Sequence, residues 1–103
     1  MDAITAASPG GVTPPAARVT GTIRYWAAAK AAAGTAEESY EAATLAEALD
    51  AVRARHAGRP RLLGLLGHCS YLVDGEQVGT RDRAGVRLTE GGTVEVLPPF
   101  AGG

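Results

Sequence analysis

Thr44-Leu-Ala-Glu47 is a capping box, and it fixes the start of the one long helix this sequence can form. The threonine hydroxyl can accept the amide three residues on, while the glutamate reaches back toward the amides before the helix. Leu45, Ala48, Leu49 and Val52 follow at helical spacing as one apolar stripe, with Glu47, Asp50 and Arg53 on the other side. Arg53, Arg55 and His56 fill the last turn, where positive charge is favoured, and Gly58 and Pro60 stop it. A helix over about 45–56 with one stripe must bury that stripe against something, and the segments around it read mostly as strands. The fold class that follows is α+β, a mixed sheet packed on one main helix.

The strands are read in chain order. In RVTGTIRYW (18–26), Val19, Gly21, Ile23 and Tyr25 alternate with Thr20, Thr22, Arg24 and Trp26, which turns Ile23 and Tyr25 to the core. AAAKAAAG changes the period: alanine is the best helix former and Gly34 can end the turn, so a short helix is expected over 27–33. Tyr40, and the place of 36–43 between two helical segments, predict a second strand paired with the first as a hairpin-like unit. LLGLL (62–66) predicts an irregular or one-turn helical connection that tucks leucines inward. CSYLV (69–73) predicts a strand, Asp74-Gly75 a hairpin turn, 76–78 a short return strand and 79–85 a polar loop. Val86, Leu88 and the Gly91-Gly92 turn lead to TVEVL (93–97), where Val94 and Val96 face the helix and Leu97 faces outward. The first and last strands are expected to pair in the middle of the sheet. Residues 1–17, with three prolines and no periodicity, are expected to be a disordered arm, 18–97 the domain, and 98–103 a flexible tail.

Composition narrows what such a domain does. Of the 46% hydrophobic residues nearly half are alanine, 21 of 47, so the core is modest. Ten basic and eleven acidic residues, net −1, argue against a nucleic-acid binder. The single Cys69, the lack of a basic-then-apolar leader and the lack of an apolar run near ~20 residues point to a soluble, cytoplasmic chain without membrane contact. No phosphate-cradling glycine loop and no metal spacing is present in the sequence. His68 and Cys69 are neighbours that a strand would point to opposite faces, a poor Cys–His nucleophile pair. Cys69 is read as a small core residue, His56 as serving a helix end, His68 as a loop residue and Lys30, the sole lysine, as part of a solvated helix face.

The distinctive chemistry stands at the end, LPPFAGG. Pro98 and Pro99 favour a stiff extended segment, and glycine, lacking Cβ, lets Gly102 and Gly103 enter a channel too narrow for other residues. A carboxylate is a poor electrophile, because its charge repels nucleophiles and its oxygen leaves badly. It becomes useful when another protein converts it to an acyl adenylate with ATP and Mg²⁺. A sulfur nucleophile can then displace AMP and leave a thiocarboxylate.

Four passages carry a resemblance. IRYWAAAKAAAG, TLAEALDAVRARH, YLVDGEQV and LTEGGTVEVLPPFAGG together resemble the ubiquitin-like sulfur carriers of the MoaD/ThiS group, most closely the small subunit of molybdopterin synthase, over about residues 19–103. The resemblance implies a β-grasp fold and a chain that is no enzyme by itself. It implies that Gly103 is adenylated by an E1-like enzyme, which holds the ATP and Mg²⁺, and is then thiocarboxylated. The sulfur goes to a pterin precursor of the molybdenum cofactor inside the large subunit of molybdopterin synthase. By position, Gly102 and Ala101 thread the partner's channel, while Phe100, Pro99, Pro98 and Leu97 dock it. Phe100 stands where the family often has Val, and Ala101 where molybdopterin carriers often have Ser or Thr. Relatives with the same ending serve thiamine thiazole, cysteine, tRNA thiolation and secondary metabolites. A ubiquitin-like modifier of lysines and a binding module with a passive tail remain as competing readings of the same end.

Overall fold

The structure, a computed structural model, describes residues 17–99. The segment read as an arm, except Ala17, and the tail from Phe100 to Gly103 lie outside the described residues. The elements run β1 (Val19–Tyr25), α1 (Ala27–Ala33), β2 (Glu37–Ala42), α2 (Leu45–Arg55), α3 (Pro60–Leu66), β3 (Ser70–Val73), β4 (Glu76–Gln77) and β5 (Gly92–Leu97). One five-stranded sheet has the order β2-β1-β5-β3-β4. β1 and β5 are parallel at its centre, with Ile23 opposite Val94 and Tyr25 opposite Val96. The other pairs are antiparallel, which makes the sheet mixed. With its main helix on one face, this is the expected β-grasp architecture.

The capping box forms. Thr44 Oγ1 accepts the Glu47 amide at 3.3 Å, and Glu47 Oε1 accepts the Ala43 amide at 2.9 Å, one residue before the cap. Leu45, Ala48, Leu49 and Val52 are all buried as the predicted stripe. Residues 86–88 strap the start of this helix: Leu45 N–H donates to Val86 O and Leu88 N–H to Ala43 O, each at 2.9 Å. That strap buries Val86 and Leu88. The segment read as a polar loop also contains a 3₁₀ turn, Arg83–Gly85, capped by Asp82.

α1 is built almost wholly of alanine. Ala29, Ala32 and Ala33 are buried, so the helix backbone can lie close to the sheet, and Gly34 closes it in the left-handed region at φ 76°. The 62–66 segment is more regular than expected. Pro60 supplies a first helical position whose missing N–H costs nothing, and Leu62 and Leu66, one turn apart, are both buried. Burial of that pair outweighs the helix-weakening Gly64. Cys69 is buried as expected, although the strand begins one residue later, at Ser70.

One glycine is required by close approach. A Cβ on Gly21 would run into the Tyr40 ring across the β1–β2 pair and come within 2.5 Å of Gly92 O. The ring lies over the bare backbone and its hydroxyl donates to Thr89 O at 2.6 Å, tying β2 to the turn before β5. Glu90 reinforces that corner by accepting from Thr20 N–H at 2.9 Å and Thr20 Oγ1 at 2.7 Å.

Leu49, 1% exposed, sits between the main helix and the sheet. Leu49→Ala is expected to cost about 2–5 kcal/mol, combining lost transfer energy with a cavity. The check is urea unfolding, where the midpoint falls and the slope stays the same.

Candidate functional site

The central position of β5 decides where the chain leaves the domain. Val94 and Val96 point into the core at 0% exposure, which sets Thr93, Glu95 and Leu97 on the opposite, open face. Leu97 lies there half-buried, opposite Ser70 of β3, as the alternation predicted. Trp26 N–H donates to Val96 O at 3.1 Å and extends the β1–β5 ladder to the root of the tail. Pro98 follows half-buried and Pro99 exposed. Of the residues assigned to docking, channel and chemistry, Leu97, Pro98 and Pro99 come together here, while Phe100, Ala101, Gly102 and Gly103 lie outside the described residues.

Trp26 is the feature that sequence reasoning passed over, since it served only as a polar-face partner in the alternation of β1. It is 41% exposed, the one large apolar side chain so open among the described residues. Its indole N–H donates to Glu95 Oε1 at 3.0 Å, and the Arg24 guanidinium stacks 5.1 Å from the ring centroid. Arg24 also meets Glu37 at 3.4 Å. Trp26, Ala27, Leu97, Pro98 and Pro99, with Ser70 and Gln77 at the rim, line an open groove of about 510 Å³ at the tail root. The chain's single Trp, placed just before an alanine helix that buries only small side chains, was the available signal.

A second polar cluster was also missed. Glu38 Oε2 accepts from the Tyr25 hydroxyl and bonds His56 Nε2 at 2.7 Å, while Oε1 meets Arg55 Nη1 at 2.6 Å. His56 does cap the main helix, as expected, and its ring also closes this cluster. Burial pushes the Glu38 carboxyl up, but donors from Tyr25, Arg55 and His56 outweigh that and hold it below its ordinary value. Burial and the Glu38 carboxylate push the Tyr25 phenol far up. Both carboxylate oxygens are engaged, so the cluster clamps β1, β2 and the end of α2 together. General-base work needs an oxygen free to reach a substrate proton.

Other candidate groups are equally quiet. Burial pushes the Cys69 thiol up, against a weaker pull from Arg83, which disfavours the thiolate a nucleophile needs. His68 is exposed in a turn. Lys30 is exposed on α1, as read. Among the described residues no three His, Cys, Asp or Glu side chains gather as a metal site, and no helix is long and apolar enough to cross a membrane.

The described residues thus hold a β-grasp sheet whose central strand leads to the tail, with no three metal-ligating side chains gathered together. Residues 23–103 match the ThiS family. The chain belongs to the ThiS family. This ThiS-family chain also shares its fold with solved structures. Small archaeal modifier protein 1 from Methanosarcina acetivorans superposes with a TM-score of 0.70 at 18% identity, over 84% of this chain and 98% of that one. The Haloferax volcanii protein of the same name gives 0.64 at 22%, over 82% and 99%. A complex of subunits 1 and 2 of the molybdopterin-converting factor from Helicobacter pylori gives 0.57 at 22%, over 82% and 100%. These likenesses show a shared fold. No curated protein sequence matches this ThiS-family chain significantly.

The Glu38 clamp makes a pH prediction. A carboxyl held low in the folded state stabilises the fold above its unfolded value, near 4.5, and that contribution is lost as pH falls through the lower folded value. Thermal melts of the wild type and Glu38→Gln should therefore differ most above pH about 4.5 and converge in acid. Equal separation at every pH would remove Glu38 from this role.

Proposed function

We propose that this chain is a sulfur carrier whose Gly103 carboxylate is activated and thiocarboxylated by an E1-like enzyme, and that it donates the sulfur in molybdopterin synthesis as the small subunit of a two-subunit synthase. One observation carries the reading: a ThiS-family domain with no free catalytic group among its described residues sends its tail out from the central strand of the sheet, beside an open face. In the activation, a Gly103 carboxylate oxygen attacks the α-phosphorus of ATP and pyrophosphate leaves. A sulfur nucleophile then attacks the acyl carbon and AMP leaves. ATP and Mg²⁺ belong to the activating enzyme, and this chain supplies the acyl group. Gly102 and Ala101 would thread the acceptor's channel, excluding water around the sulfur. Support for the molybdopterin assignment comes from the similar fold of a molybdopterin-converting factor complex, while the Gly-Gly ending supports the carrier chemistry common to several pathways. The thiamine, cysteine, tRNA and secondary-metabolite pathways would use the same chemistry.

A second reading has an observation of its own, the similarity to proteins named as small archaeal modifiers. There the activated Gly103 would acylate lysines of other proteins. Partners would meet Phe100 and the open face near Leu97, Pro98 and Pro99, since apolar anchors with a polar rim carry most interface energy.

Intact-mass analysis of the protein incubated with its cognate activating enzyme, ATP and a sulfur source tests the main reading. The expected product has one oxygen exchanged for sulfur, and persistence of the plain carboxylate alone would sink it. Lysine adducts carrying Gly103 would favour the modifier. Deleting Gly102-Gly103 should abolish sulfur transfer and leave the melting temperature unchanged, because the deletion spares the core. Phe100→Ala should weaken binding to the activating enzyme or large subunit, read as a raised Kd by titration calorimetry.

A further inference from the structure

The groove beside Trp26 stays open to solvent in the described residues, although its walls are a tryptophan, an alanine, a leucine and two prolines. We propose that its occupant in the free protein is the chain's own Phe100, parked against the Trp26 indole.

Four observations lead there. Pro99 is a groove wall, and since one trans peptide spans only about 3.8 Å between Cα atoms, the next residue, Phe100, is within reach of the groove. A Pro-Pro segment favours the polyproline helix, with about three residues per turn, which places Phe100 on the same side as Leu97. Leu97 is on the open face and lines this groove. Phe100 is also the only phenylalanine in the sequence. Finally, the indole is held before any occupant arrives, by Glu95 on its N–H and Arg24 on its ring.

Tethering makes self-docking favourable. A group held by one peptide bond meets its site at an effective concentration that free partners rarely match. An aromatic pair adds offset or edge-to-face attraction to the buried area. With Phe100 seated, the path of the last three residues starts from a fixed point, and a partner that uses Phe100 as an anchor must first take it from Trp26. This inference stands apart from the sulfur-carrier reading, since it concerns the resting tail whatever its terminal chemistry.

Trp26 is the chain's only tryptophan, so its emission reports the groove alone. Fluorescence of the full chain, of Phe100→Ala and of a chain ending at Pro99 should be compared over a wide concentration range. Both variants are expected to emit at longer wavelength and to be quenched more by acrylamide, by the same amount at every concentration. Nuclear Overhauser cross-peaks between the Phe100 ring and Trp26 indole protons are expected in the full chain. Far-UV circular dichroism checks that the variants are folded; were either not, the wild-type cross-peaks alone would decide. Unchanged emission or missing cross-peaks overturn the proposal. A shift that grows with concentration assigns the groove to a second copy and overturns it as well.

Discussion

Parallel pairing of β1 with β5 puts the last strand in the middle of the sheet, hydrogen-bonded on both sides. The rest of the structure answers to that pairing. Val94 and Val96 are fully buried, the main helix lays its leucines on the sheet, and Tyr40, Glu90 and Thr20 fasten the turn that feeds β5. A tail attached to an edge strand would inherit the fraying of that edge. Here it leaves from a strand that cannot move without breaking two ladders, so the departure point of Pro98 is fixed.

The domain keeps its own chemistry closed. Glu38 is saturated by Tyr25, Arg55 and His56, and the Cys69 thiol is buried. Neither offers a free base or a ready thiolate. An open, largely apolar surface lies at the root of the tail, around Trp26 and Leu97.

Much of this was legible in the residues because it rests on local rules. The capping box, the stripe of α2, the Asp74-Gly75 turn and the alternation of β5 each depend on neighbours in the chain, and each formed. Asp74 at φ 52° and Gly75 at φ 84° show the doubly positive turn such a pair favours. What escaped was non-local. The 62–66 segment was expected to be irregular or a single helical turn because Gly64 interrupts it; its leucines do turn inward, and burial of Leu62 and Leu66 lets the helix run from Pro60 to Leu66. Glu38 gave no signal, because its partners come from β1 and from the far end of α2. Trp26 read as one more residue in an alternating strand, and only the sheet order places it beside Leu97 and Pro98.

The central strand is also the last element among the described residues, and this bears on how the protein is made. Thr20 and Glu90, joined in the corner before β5, are 70 positions apart. Loop closure of that length must be accomplished before the central ladder returns any free energy. On the ribosome, β1, the helices and the β3–β4 hairpin emerge before the strand that joins them. A nascent chain interrupted ahead of Gly92 would have two separate halves of a sheet and nothing between them. Completion of the fold and delivery of the tail are therefore the same event, so a chain that has become resistant to proteases has also been translated as far as the root of its tail.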